Sequence, residues 1–147
     1  MKILQKNANE ILTKHIFDNK NINIKYLQAI NYLKNILDID NLNRIECYDI
    51  SNISGDFNVG SMVVYKNGFK SSKDYRKFKI KTVVGQDDYS SHREMLTRRF
   101  NRFLDEKINS AGSSFSEKPD LILMDGGKGH VNVAKEVLLE KNLNVPV

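Results

Sequence analysis

The stretch LILMDGGKGH, Leu121 to His130, restricts the fold more than any other part of these 147 residues. Four apolar residues deliver a lone carboxylate, Asp125, into a glycine turn. Beyond the turn, Val133, Val137 and Leu138 recur at helical spacing. Residues 120–124 are therefore expected as a short buried strand and 130–141 as a helix. Val145-Pro146-Val147 resumes as the start of another strand. Strand, helix and strand in succession require parallel pairing through a right-handed crossover, and so a sheet with helices packed on it.

RIECYDISNISG, residues 44–55, repeats the pattern of an apolar run ending in a lone acid, here Asp49. Residues 44–51, 58–66 and 75–83 each read as strands rich in Val, Ile, Tyr and Phe. Lys66-Asn67-Gly68 between the last two is a hairpin signal. In the third, Tyr75, Lys77, Lys79 and Lys81 alternate with Arg76, Phe78, Ile80 and Thr82, giving one basic and one apolar face. Before the strands, residues 7–37 read as helix. Leu27, Ile30, Leu33 and Leu37 mark one face, Ile11, Leu12 and Ile16 mark a shorter helix, and Asn19 to Asn23 is the expected break. Asp87-Asp88-Tyr89-Ser90 supplies N-cap chemistry. Leu96, Phe100, Phe103 and Leu104 then mark a helix to about Ile108, followed by a polar loop, 110–118. The expected class is α/β: a mixed sheet of three antiparallel strands, then helix, strand and helix, preceded by linker helices. The expected divisions are a helical region, 1–43, and a sheet domain, 44–147.

Charge is concentrated. The net charge is +5, and between Gly60 and Ser110 twelve Lys or Arg stand against six acids, as a phosphate-binding face requires. No apolar run is long enough to span a bilayer, and the N-terminus lacks the apolar stretch of a signal peptide. The single cysteine, Cys47, has no partner within the chain and reads as a small core hydrophobe. The cytoplasm is the expected compartment, with no membrane partner.

In sheets of this kind ligands gather at the carboxyl ends of the strands. If the first and fourth strands are neighbours, Asp49 and Asp125 lie side by side there. Two such acids suit a divalent cation such as Mg²⁺ or Mn²⁺, but an Asp before Ser or Gly also caps turns, so the residues alone leave both readings open. Lys128 invites a phosphate-loop reading. That pattern is not met, because Ile122 stands at the first glycine position and Gly129 follows the lysine. A nucleotide ligand is not expected.

Four blocks, ECYDISNISG, VGSMVVYKNG, DYRKFKIKTVVGQDDYSSHREMLTRRF and PDLILMDGGKGH, closely resemble in order and spacing the C-terminal endonuclease domain of the UvrC family of bacterial excision-repair nucleases. The resemblance runs from about Arg44 to Val147. It implies an RNase H-like fold and a divalent-metal-dependent incision of damaged double-stranded DNA on the 5′ side of a lesion, within the UvrABC repair complex and beside UvrB. It also implies Asp49 and Asp125 as catalytic metal ligands, with Asp88 as a third acid. Asp88 opens a helix, where an acid is expected for capping alone, and Asp87 reads as the pure cap. The family's catalytic histidine lies in a stretch past Val147, so the resemblance implies a fragment lacking it. His92 and His130 are the local substitutes. His92 reads as a helix-surface residue, and His130 as a helix-start polar residue where the family usually has glutamine. His15 lies outside the matched blocks. Arg76, Lys77, Lys79, Lys81, Arg98, Arg99, Arg102 and Lys128 are the expected DNA contacts, against the plainer reading of a solvated face. A basic DNA-binding or protein-docking module that kept this fold without its chemistry is the alternative.

Overall fold

In a computed structural model, residues 2–53, 57–109 and 113–147 are described. The chain divides into two compact units, 1–40 and 41–147. No helix among the described residues is long and apolar enough to cross a membrane.

The first unit is a single helix, α1, Lys2–Leu37, about 54 Å long at 1.5 Å per residue. The break expected at Asn19 to Asn23 does not occur. That stretch holds no Gly or Pro, and Asn costs a helix well under ~1 kcal/mol relative to Ala, so the hydrogen-bonded spiral passes through. The side chains of Ile11, Leu12 and Ile16 lie outside the described residues. The helix stops where Asp38 turns left-handed (φ 50°) and the Ile39 N–H donates back to the Lys34 carbonyl at 3.1 Å, a Schellman-type closure.

The second unit is built on five strands: β1 Arg44–Ile53, β2 Phe57–Lys66, β3 Phe69–Lys70, β4 Arg76–Lys79 and β5 Leu121–Met124. Their order is β3-β2-β1-β5, with β4 also paired to β2. β1 and β2 run antiparallel, Asp49 facing Ser61. β1 and β5 run parallel, Tyr48 beside Met124, as the strand-helix-strand order demands. Asn67 (φ 52°) and Gly68 (φ 83°) make the hairpin turn, both in the left-handed region that a type I′ turn requires. Past β5, the Ile122 N–H donates to the Pro146 carbonyl at 2.9 Å, so the final residues lie along that strand.

The third expected strand, 75–83, is shorter than its alternation suggests. A 3₁₀ turn, Ser72–Asp74, separates β3 from β4. It is held by the Asp74 carboxylate, which accepts from the Ser71 hydroxyl at 2.6 Å and pairs with the Lys66 ammonium at 3.1 Å. At the other end, the N–H groups of Lys81 and Thr82 donate to the Glu94 carboxylate. Backbone donors given to a side chain are lost to the ladder, and the strand peels away.

Two helices, α2 Asp88–Asn109 and α3 Lys128–Glu140, complete the unit; α3 begins two residues earlier than its periodicity marks. One sheet face, with Tyr48, Met62, Val64, Phe78 and Ile122, packs against Leu96, Phe100 and Phe103 of α2 and Ala134, Val137 and Leu138 of α3, all buried in one core. Gly60 lets α2 settle on the sheet, since a Cβ there would stand 2.3 Å from Met95 Sδ. By alternation, Cys47, Asp49, Ser61, Val63, Lys77 and Lys79 belong to the opposite face with Leu123, which is 44% exposed.

Candidate active site

Asp49 lies inside β1, four residues before its end but one past the last residue that pairs with β5, and Asp125 is the first residue past β5. The parallel register aligns them, and the Asp125 N–H donates to the Tyr48 carbonyl at 2.9 Å, extending the ladder to the acid itself. Both carboxylates line a cavity of about 340 Å³ with Cys47, Ser61, Val63 and Leu123. Asp49 Oδ2 accepts from the Ser51 hydroxyl at 3.2 Å. Cys47 is half-buried, and burial, then the Glu46 charge, push its thiol pKa up, so it stays a neutral wall of the cavity.

At the head of α2 the two adjacent acids divide the work. Asp87 caps the helix, accepting the Ser90 N–H at 3.0 Å and the Ser90 hydroxyl at 2.6 Å. Asp88 is thereby released from capping, and its Oδ1 is buried with no hydrogen-bond partner among the described residues.

His92, expected on the helix surface, is 2% exposed. Its Nδ1 lies 2.9 Å from the Asp88 carbonyl. A carbonyl only accepts, so Nδ1 carries the proton and Nε2 is left as a bare lone pair, buried and without a partner among the described residues. Burial lowers its pKa, and the neighbouring His130 adds to this. The Asp88 carbonyl, then the Asp88 and Asp49 charges, pull the other way and lose. The ring is neutral at pH 7.

A divalent ion is tested by what these donors are. Carboxylate oxygens suit Mg²⁺ and Mn²⁺, and Asp88 Oδ1 and His92 Nε2 are buried acceptors with nothing to accept. Among the described residues, no three of His, Cys, Asp and Glu converge closely enough to hold an ion. Asp49 and Asp125 bring two carboxylates to one cavity, and Mg²⁺ is an ion that keeps several waters and takes one or two carboxylates beside substrate phosphates.

The basic residues separate on burial. Lys77, Lys79, Lys81 and Lys128 are exposed. Arg102 is exposed too, pairing with Glu106 and covering the Phe115 ring at 4.9 Å. Arg98 pairs with Glu94 and donates to the Lys79 carbonyl. Arg76 is half-buried, its Nη1 donating to the carbonyls of Lys73 and Tyr75.

Arg99, expected as a DNA contact, is corrected: it is fully buried. It donates to Glu46 at 2.7 and 3.2 Å and to the carbonyls of Phe115 and Glu117. Arg44 donates to the same carboxylate at 2.7 Å, and the Tyr48 hydroxyl donates to it at 2.5 Å. Burial first, then the Glu46 charge, hold the Tyr48 hydroxyl protonated far above the ordinary range. This cluster was not anticipated. Its signal is Arg44, Glu46 and Tyr48 at every second residue of β1, and Arg99 within the stripe Leu96, Phe100, Phe103.

A family model described as the UvrC RNAse H endonuclease domain matches residues 34–147. UvrABC system protein C of Finegoldia magna is 56% identical over 147 residues, covering 100% of this chain and 24% of that protein. The same protein of Clostridium novyi is 52% identical over 130 residues, 83% of this chain and 21% of that one. That of Lachnospira eligens is 46% identical over 148 residues, 100% and 24%. The chain thus spans about a quarter of the length of these relatives. Among solved structures, Endonuclease V of Ciona intestinalis, in complex with a 24mer DNA containing an inosine, is similar with a TM-score of 0.50. The match covers 90% of this chain and 56% of that one at 14% identity, a likeness of fold that agrees with the RNase H-like class expected above.

Proposed function

This chain belongs to the family of UvrC RNase H endonuclease domains, and from that membership we propose that it is a Mg²⁺- or Mn²⁺-dependent endonuclease domain cutting damaged double-stranded DNA 5′ of a lesion. The observation that carries the reading is the pair of carboxylates, Asp49 and Asp125, next in register beyond the last paired residues of parallel β1 and β5 and lining one cavity.

When bound, the ion orients water and stabilises the departing oxygen of an in-line phosphodiester cleavage. Asp49 and Asp125 hold it, and Asp88 supports them as a buried acceptor. Lys77, Lys79 and Lys81, with Arg76, Arg98 and Arg102 at their flank, hold backbone phosphates. Lys128 opens α3, where free amides and the helix dipole favour an anion. His92 is sealed from substrate and does not serve as acid or base, while His130 Nδ1 is engaged in capping α3 through the Gly127 N–H. The partners on this reading are DNA and UvrB within the UvrABC system, in the cytoplasm.

Asp49→Asn, carried into a protein of the relatives' full length, is expected to abolish the 5′ cut. Persistence of 5′ incision overturns the proposal. DNA binding that needs no metal and survives loss of both acids would instead mark a binding module without chemistry.

A further inference from the structure

Asp88 heads α2 and Asp125 opens the turn into α3, on segments far apart in sequence. Three rings lie between those two starts. Tyr89 and His130 stack, centroids 4.5 Å apart and planes 18° from parallel. The His92 ring meets His130 edge-on at 5.0 Å, and His92 is itself bonded to the Asp88 carbonyl.

His130 is the third residue of α3, and its Nδ1 accepts the N–H of Gly127, the residue that caps the helix, at 3.2 Å. A side chain at that position reaching back to the cap is half of a capping box, a task ordinarily given to Glu or Gln. Two glycines make room for the rings. Gly126 has φ +140°, and a Cβ there would stand 2.2 Å from His130 Nδ1. A Cβ on Gly129 would stand 2.5 Å from Tyr89 Cε1. Gly126 and Gly129 are thus explained by rings lying on backbone, whereas a Cβ on Gly127 would meet nothing within 4 Å.

We infer that Tyr89 and His130 are positioning residues that tie the turn carrying Asp125 to the helix carrying Asp88, so that the acids keep one mutual geometry. The inference rests on the endonuclease reading above. A Gly-Gly turn has the largest conformational freedom to lose on ordering; the His130 acceptor and the Tyr89 stack remove it. Misplacing a reacting group by ~1 Å costs on the order of 10²-fold in rate.

Two pairs of variants test this. His130→Gln keeps an acceptor at the third helical position and His130→Met keeps its length without one; Tyr89→Phe keeps the stack and Tyr89→Leu does not. The first readout, in this chain, is hydrogen exchange at the Gly127 amide. Protection retained in His130→Gln and lost in His130→Met supports the brace; equal protection in both overturns it. The second readout is 5′ incision in a protein of the relatives' full length. His130→Met and Tyr89→Leu are expected to lower kcat on the order of 10²-fold with KM for DNA unchanged, while His130→Gln and Tyr89→Phe stay near the parent. Unchanged kcat in both disruptive variants overturns the positioning role even where protection is lost. A parent protein that does not cut at all sinks the endonuclease reading instead, and the exchange measurement still decides the brace.

Discussion

Glu46 is buried with Arg44 and Arg99 closed around its carboxylate and Tyr48 beneath it. Removing one partner strands a charge where water cannot reach. Arg99→Met is therefore expected to cost ~3 to 5 kcal/mol, read as a fall in the urea midpoint. Arg102→Ala, three residues on and exposed, should cost well under ~1 kcal/mol; equal costs would contradict the assignment of Arg99 to the interior. The distinction was latent in the sequence. Leu96, Arg99, Phe100 and Phe103 follow the i, i+3, i+4, i+7 spacing of a core-facing stripe, so position, not residue type, separates Arg99 from Arg98 and Arg102. Counting charges along the chain merges the three, because a local count carries no information about the buried Glu46 that Arg99 meets from a distant strand. His92 was missed for the same reason: its burial depends on α3 and the turn before it.

The head of α2 separates stability from chemistry across one peptide bond. Asp87→Ala removes a cap and is expected to cost ~1 kcal/mol while leaving 5′ incision per folded molecule intact. Asp88→Asn should do the reverse, sparing stability and removing incision, since the Asp88 carboxylate caps nothing. Thermal unfolding and cleavage measured on the same two variants check both, and a destabilised Asp88→Asn with normal cutting would contradict the division. Elements with strong period were legible, namely β1, β2, α2 and the parallel β1/β5 pair that aligns Asp49 with Asp125. Element ends were not. β4 is cut short by Asp74 and Glu94, whose partners, Lys66 and the backbone of Lys81 and Thr82, are fixed only once the hairpin has folded. α1 continues through its Asn-rich middle because a cluster of weak helix formers is no barrier without Gly or Pro.

Across the whole molecule, two bulk measurements report these placements. If the strand lysines meet DNA phosphates, replacing Lys77 and Lys81 by Gln should each flatten the slope of log affinity against log salt by ~0.9, and unchanged slopes would remove them from the contact. Acid sensitivity has a local source. Burial opposes ionisation of Asp74, but hydrogen bonds from Ser71 and Lys66 win and hold its pKa at about 2, below the ordinary 3.8. A folded pKa below the unfolded one contributes stability that is full above about pH 4 and is lost as pH falls toward 2. Asp74→Asn should flatten the stability profile in that window; an unaltered profile would show that the carboxylate is not the source. One consequence concerns alignment. β1 is paired on both edges and alternates its cargo, with Glu46 and Tyr48 turned inward and Asp49 turned to the cavity. Sliding it by a single residue would push Asp49 into the apolar layer and bare Glu46 to solvent. The buried ions thus work as a second key to one lock: an apolar pair in place of Glu46 and Arg99 can match or exceed their stability, yet it removes one of the two penalties on the misthreaded sheet and leaves only the burial of Asp49 to reject it.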